Sequence, residues 1–251
     1  MPPRYYMENY GCALAEFDAS IMATQLEKAG FTRTSRPEEA DVIIINTCAV
    51  RLDTEAKIVK RLDELASMSL KGSLVVAGCL AKARPSLVLR HAPKASLVSP
   101  QNSYRIVEVL SSGSQVFMLE GDRDNSFMPV PPLRDTIATV MVSEGCLDNC
   151  SFCATKLARK TLRSYPPRVV INVISELVRR GAKEIRITGQ DIAAYGLDLQ
   201  PRIRLPELLG YILDKVPGDY RIRVGMMTPN IALEIIGDLL SVYKDERVFK
   251  F

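Results

Sequence analysis

The chain has 251 residues, a formal net charge of +4 and a hydrophobic fraction of 47%. That is room for two ordinary domains with real cores, and a charge of this size is compatible with an RNA partner without requiring one. Trp is absent and His91 is the single histidine, so mechanisms that need a histidine base have almost no material here. No apolar stretch approaches 18 residues, and no membrane span is expected. Met1-Pro2-Pro3-Arg4 leads straight into a strand pattern, so no secretion signal is expected. The six cysteines are therefore expected as reduced thiols in a cytoplasmic protein, available as metal ligands.

Residues 4–110 alternate strand and helix. The segment 15–29 has apolar residues at helical spacing and stops at Gly30. Val42–Ile45 reads as a buried strand, 53–68 as a helix with Ile58, Leu62 and Leu65 on one face, and Leu74–Ala77 as a second buried strand. Pro85 opens a helix over 85–90, Leu97-Val98 is a short strand, and 102–110 closes as a helix. Such alternation predicts a parallel sheet with helices on both faces, an α/β domain of flavodoxin-like type over 1–120.

Residues 111–135 change to loop chemistry, with Gly121 to Ser126 polar and Pro129, Pro131 and Pro132 stiffening the exit. The domain linker is placed at 121–134. The second domain, 135–251, restarts the alternation. Strands are expected at 137–142, 184–188, 220–226 and 247–251, and helices at 168–180, 205–216 and 231–242. Repeated βα units point to barrel geometry with chemistry in the loops after the strands. Four strands do not close a barrel, and the last would be an unprotected edge, so the chain reads as a fragment with an incomplete barrel.

Three cysteines of the first domain share one setting. Cys12 follows the strand-like start, Cys48 follows Val42–Ile45 and Asn46-Thr47, and Cys79 follows Leu74–Ala77 and Gly78. Each lies just past the carboxyl end of a strand, where open α/β sheets bind ligands. Together they could hold a cluster; three separate buried thiols are the alternative. In the second domain, Cys146, Cys150 and Cys153 form C-x3-C-x2-C. Three closely spaced thiolates can hold three irons of a cubane and leave the fourth open. A zinc knuckle is the alternative, although it would need a fourth ligand. After the triplet, Lys156, Arg159, Lys160, Arg163 and Arg168 form either a basic collar for a phosphate-bearing substrate or a solvated loop face.

These residues together resemble the methylthiotransferase family of radical S-adenosylmethionine (SAM) enzymes. The motifs are Asn9-Tyr10-Gly11-Cys12, Asn46-Thr47-Cys48, Gly78-Cys79 and Gly145 to Cys153 with Phe152 before the last thiol. The tracts Thr155 to Arg159 and Ser164-Tyr165-Pro166 look most like the archaeal and eukaryotic branch, which modifies tRNA. The resemblance implies two [4Fe-4S] clusters, one on Cys12, Cys48 and Cys79 and one that binds and cleaves SAM on Cys146, Cys150 and Cys153. It implies methylthiolation at C2 of N6-threonylcarbamoyladenosine next to the anticodon, with a sulfur methylated at the first cluster and a 5′-deoxyadenosyl radical formed at the second. Chemistry of this kind is carried by cofactors that the protein positions. By the same resemblance Phe152 would lie against the SAM adenine. Gly189, Gln190 and Asp191 would meet its amino group, Arg223 its carboxylate, and Tyr195-Gly196 would shape that loop. The implied partners are tRNA, an electron-donor protein and a separate carboxy-terminal RNA-binding half. A ribosomal-protein side chain as substrate, or a non-catalytic cluster-binding fragment, are the alternatives.

Overall fold

The computed structural model describes residues 2–68, 72–133 and 135–249. It contains two units, Met1–Arg123 with Asn149–Arg159, and Asp124–Asp148 with Lys160–Phe251. In the first unit, β1 (Arg4–Asn9), β2 (Thr32–Arg33), β3 (Val42–Thr47), β4 (Ser73–Gly78), β5 (Ser96–Val98) and β6 (Phe117–Met118) pair in parallel. Their order is β2-β1-β3-β4-β5-β6. This is the flavodoxin-like order with a strand added, and its switch point falls between β1 and β3. Parallel neighbours need crossovers. The crossovers carry α1 (Ala13–Lys28), α2 (Leu52–Ser67), α3 (Cys79–Ala83), α4 (Pro85–His91) and α5 (Ile106–Ser111). The returning segment adds α6 (Thr155–Ala158).

Every residue of β3 is buried, because the strand feeds two cores. Ile43 and Ile45 pack with Ile58, Leu62 and Leu65 of α2 and with Leu80 and Val88. Ile44 packs on the other face with Met22 and Leu26 of α1 and Ile106 and Val109 of α5. Each fully buried aliphatic side chain contributes about 1.5–3 kcal/mol. Three of them on α2 outweigh the few tenths of a kcal/mol by which residues differ in helix propensity.

The helix expected over 102–110 is divided into a 3-10 turn at Pro100–Arg105 and α5. Asn102 explains the break. Its Nδ2 donates to Ser99 Oγ at 2.9 Å, Met118 O at 3.2 Å and Glu120 O at 2.8 Å, which fixes the turn against β6. That strand lies in the stretch read as loop; two residues are too few to show a period.

In the second unit, β7 (Ile137–Met141), β10 (Glu184–Thr188), β11 (Arg221–Val224) and β12 (Val248–Phe249) form a parallel sheet in the order β12-β11-β10-β7. A separate antiparallel pair joins β8 (Ser143–Glu144) to β9 (Arg163–Ser164). Of the strand expected at 247–251, residues 250 and 251 lie outside the described residues, as does residue 134 of the expected linker. Ala138, Val140, Ile185, Ile187, Ile222 and Val224 are buried on one face. The helices α7 (Pro167–Arg179), α8 (Leu205–Lys215) and α9 (Pro229–Val242) follow the strands in turn. On the other face Thr139, Arg186 and Arg223 stand side by side in register. This is a partial (β/α) barrel sheet. Among the described residues no helix is long and apolar enough to cross a membrane.

One polar knot braces the first sheet. Arg61 of α2 donates to Glu8 Oε1 through Nε at 2.9 Å and Nη2 at 2.7 Å. The Tyr6 and Tyr10 hydroxyls donate to the same carboxylate at 2.7 and 2.6 Å. Burial alone would raise the Glu8 pKa, but the bonds from Arg61, Tyr10 and Tyr6 overcome it and hold the group below its ordinary value of 4.5. We expect Glu8→Gln to cost about 1.5–3 kcal/mol, the range for hydrogen bonds to charged groups. A lowered folded pKa means that this stability is complete above the ordinary value and fades as pH falls through the folded one. Thermal midpoints followed from about pH 7 to about pH 3 should drop less steeply in the variant; parallel curves would reject the assignment.

Candidate metal centre

Cys12, Cys48 and Cys79 emerge at the carboxyl ends of β1, β3 and β4, which are neighbours in the sheet. Cys12 is the exposed N-cap of α1. Cys48 directly follows β3 and Cys79 is the first residue of α3, and both are buried. Side chains between them fix these ends. Asn46 Nδ2 donates to Asn9 Oδ1 at 2.9 Å and to Ala15 O at 2.7 Å, tying β3 to β1 and α1. Thr47 Oγ1 donates to Ala77 O at 2.6 Å and accepts from the Leu80 N–H at 3.2 Å, tying β3 to β4 and α3. Gly78 has φ +95°, and a Cβ there would lie 2.5 Å from Thr47 O. Only glycine fits where the chain turns straight from strand into the helix that begins with Cys79.

The Cys79 thiol is pushed up by burial, while the charge and the N–H of Arg159 pull it down; Asp18 and Cys12 add to the net rise. Among the described residues, no group of three His, Cys, Asp or Glu side chains could hold a metal ion. A zinc site asks for ligands gathered around one point. A cubane asks for a wider set, since each thiolate binds a different iron. Three thiols rising from one rim, on the ends of neighbouring strands, are a donor set of the second kind.

Cys150 and Cys153 lie on Asn149–Arg159, which belongs to the first unit. The Cys153 N–H donates to Cys150 O at 3.1 Å. Phe152 beside them is 88% exposed. Cys146 belongs to the second unit, where its approach is fixed by Gly145. That residue has φ +85° and would place a Cβ 2.0 Å from Thr161 O. Its N–H donates to Gln190 Oε1 at 2.7 Å. Gly189 is packed so that a Cβ would meet Ser143 Oγ at 2.8 Å. Asp191 is fully buried and accepts from the Ala193 N–H at 3.1 Å, the Thr228 N–H at 3.0 Å and Thr228 Oγ1 at 2.6 Å. Its carboxylate therefore braces the loop after β10 against the start of α9. Tyr195 is buried, its hydroxyl donating to Tyr165 O at 2.8 Å, and the Gly196 N–H donates to Ser164 Oγ at 2.9 Å. Arg223 is exposed, on the face opposite Ile222 and Val224.

The uncharacterized protein family UPF0004 matches residues 4–99, and the radical SAM superfamily matches residues 140–250. The chain thus combines a stretch similar to UPF0004 with a stretch similar to the radical SAM superfamily. It is 37% identical over 258 residues to a probable threonylcarbamoyladenosine tRNA methylthiotransferase of Methanocaldococcus jannaschii, covering 100% of this chain and 58% of that protein. The protein of the same name from Pyrococcus horikoshii is 34% identical over 253 residues, with 99% and 58% covered. The chain thus spans 58% of the length of these relatives. Among solved structures, the radical SAM methyltransferase TsrM of Kitasatospora setae shares the fold with a TM-score of 0.61 at 12% identity, over 98% of this chain and 66% of that one.

The triplet Cys146, Cys150 and Cys153 lies within the stretch similar to the radical SAM superfamily. Three charged residues stand out beside Cys79: Asp18 and Arg123, which no motif marks, and Arg159, which the sequence places in a basic cluster; all three side chains are 1% exposed. Arg159 is neither a solvated loop residue nor part of an exposed basic collar. Asp18 did carry a signal, being a charge on the helical face of Leu14, Phe17 and Ile21. We expect Gly78→Ala to cost about 1–3 kcal/mol for the backbone conformation alone, and more for the contact with Thr47 O. By displacing Cys79 it should also lower the iron bound after reconstitution; circular dichroism melting and iron analysis check both, and an unchanged melting point with full iron would exclude the requirement for glycine at this turn.

Proposed function

We propose that this protein is a tRNA methylthiotransferase that uses SAM and two [4Fe-4S] clusters to place a methylthio group at C2 of N6-threonylcarbamoyladenosine. The observation that carries the reading is the delivery of three thiols from adjacent parallel strands, in a chain that also bears C-x3-C-x2-C. The names of its archaeal relatives supply the substrate class. In this reading residues 1–120 hold the auxiliary cluster on Cys12, Cys48 and Cys79, 121–134 link, and 135–251 carry the radical SAM half. Cys146, Cys150 and Cys153 hold the second cluster and leave one iron open.

When bound, the clusters and SAM supply a methyl group, a sulfur and a radical able to take hydrogen from carbon. The chain's own residues position them. Gln190 and Gly145 hold the approach to Cys146, Asp191 braces the loop, and Gly189 lets Ser143 and Ile192 pack directly against it. Phe152 and Arg223, both exposed, are the proposed contacts to the adenine and carboxylate of SAM. An electron-donor protein and a separate carboxy-terminal RNA-binding half are the proposed partners, in the cytoplasm.

Reconstituted protein is expected to bind about eight irons per chain, two cubanes' worth, and to form 2-methylthio-N6-threonylcarbamoyladenosine in unmodified tRNA, read by nucleoside mass spectrometry. Methylthiolation of ribosomal protein instead would transfer the assignment to that substrate. Cys150→Ala should abolish SAM cleavage, whereas Cys48→Ala should keep it and lose methylthio transfer. If both variants cleave SAM normally, the division of roles is wrong.

A further inference from the structure

Asp18 lies on the apolar face of α1 among Leu14, Phe17, Ile21 and Met22. Its two oxygens serve two arginines. Oδ1 accepts from Arg123 Nη2 at 2.6 Å, and Oδ2 accepts from Arg159 Nη2. Arg123 is fixed in turn by Pro100 O at 2.7 Å and Ser103 Oγ at 3.3 Å. Arg159 also reaches a thiol, with Nε donating to Cys79 Sγ at 3.4 Å. All of these residues are buried and belong to the first unit.

Burying guanidinium groups costs several kcal/mol each before pairing. A solvated loop face or an exposed phosphate contact would not require it. The use made of Arg159 depends on its shape. One planar fork offers Nη2 to a carboxylate and Nε to a sulfur at once, and a lysine ammonium lacks that geometry. Asp18, held from its other side by Arg123, fixes the plane of the fork, so the Nε–H is aimed at Cys79 independently of any bound group. Outer-shell donors of this kind orient metal ligands, and hydrogen bonds to sulfur help set cluster potentials. A donor to a thiolate stabilises the state with more negative charge, which is the reduced one.

We propose that Arg159 is a positioning residue for the auxiliary cluster, locked by Asp18 so that it keeps an N–H···S bond on Cys79 and raises the cluster's reduction potential. This rests on the reading of Cys12, Cys48 and Cys79 as cluster ligands. The same ion pair anchors the segment that carries Cys150 and Cys153, because Arg159 is its last residue. Gln101 adds to that anchor, with Nε2 donating to Ala158 O at 3.0 Å.

The test uses the full chain with Cys150→Ala, reconstituted anaerobically so that only the auxiliary cluster forms, then reduced. Protein made with 15N-arginine is compared with unlabelled protein by pulsed electron paramagnetic resonance. A 15N hyperfine coupling that appears only with labelled arginine is the expected result. Arg159→Lys in the same background should lose the coupling and shift the potential to a more negative value, with circular dichroism unchanged. A cluster signal without arginine coupling overturns the proposal, as does Arg159→Lys with coupling and potential intact. If Arg159→Lys does not fold, the labelled Cys150→Ala chain decides alone. No cluster signal at all would overturn the auxiliary-cluster reading and this assignment with it.

Discussion

Asn46 and Thr47 hold three strand ends together with two side chains, and the placement of Cys12, Cys48 and Cys79 depends on them. Both residues are fully buried, where a polar group without a partner costs about 1–3 kcal/mol. That cost makes the bonds to Asn9, Ala15, Ala77 and the Leu80 N–H close to obligatory. Strand pairing sets the register of β1, β3 and β4 along the sheet. The two side chains set how far each strand runs before it turns, and so where each thiol emerges. Gly78 completes the arrangement, because the backbone of Thr47 occupies the space a Cβ would need.

Asn46 Oδ1 finds no donor among the described residues, although Nδ2 of the same amide makes two bonds. The amide has been oriented by its donors, at the expense of its acceptor. The orientation follows from what surrounds it: Asn9 Oδ1 and Ala15 O are both acceptors, and the Asn46 NH2 group faces them. An aspartate at position 46 would meet those oxygens with negative charge. The amide is the side chain of this size that can bind both while staying neutral beside three thiols.

Much of this architecture is legible in the sequence, for reasons particular residues make plain. Val42 to Ile45 and Leu74 to Ala77 are β-branched or small runs ended by Asn or Gly, so the strands and the thiols after them can be read directly. The helices α2 and α7 carry apolar faces with a clear period. The short elements β6, β8 and β9 are two residues each, below the length at which alternation is visible. Asn102 breaks an apparent helix through bonds to Met118 and Glu120, 16 and 18 residues away. Asp18 shows itself as a charge on an apolar face, but its arginines lie 105 and 141 residues along the chain, and no local pattern names them. Arg159 illustrates the same limit from the other side: its neighbours Lys156 and Lys160 make it look like part of a basic surface, and only the fold buries it.

The chemistry available to the chain's own side chains narrows what it can do. His91, the single histidine, is engaged with Asp63 at 2.8 Å on α4, away from the strand ends. Asp191 is consumed in bracing a loop, and Glu8 is held by Arg61 and two tyrosines. Among the described residues the side chains that link the strand ends and reach the thiols are amide, hydroxyl and one buried guanidinium. Amide, hydroxyl and guanidinium can all donate to sulfur. Asp18 comes near only with an arginine on each oxygen. A rim built this way is suited to holding negatively charged sulfur and ill suited to moving protons, which is the division of labour expected when the cofactor carries the reaction and the protein fixes where it happens.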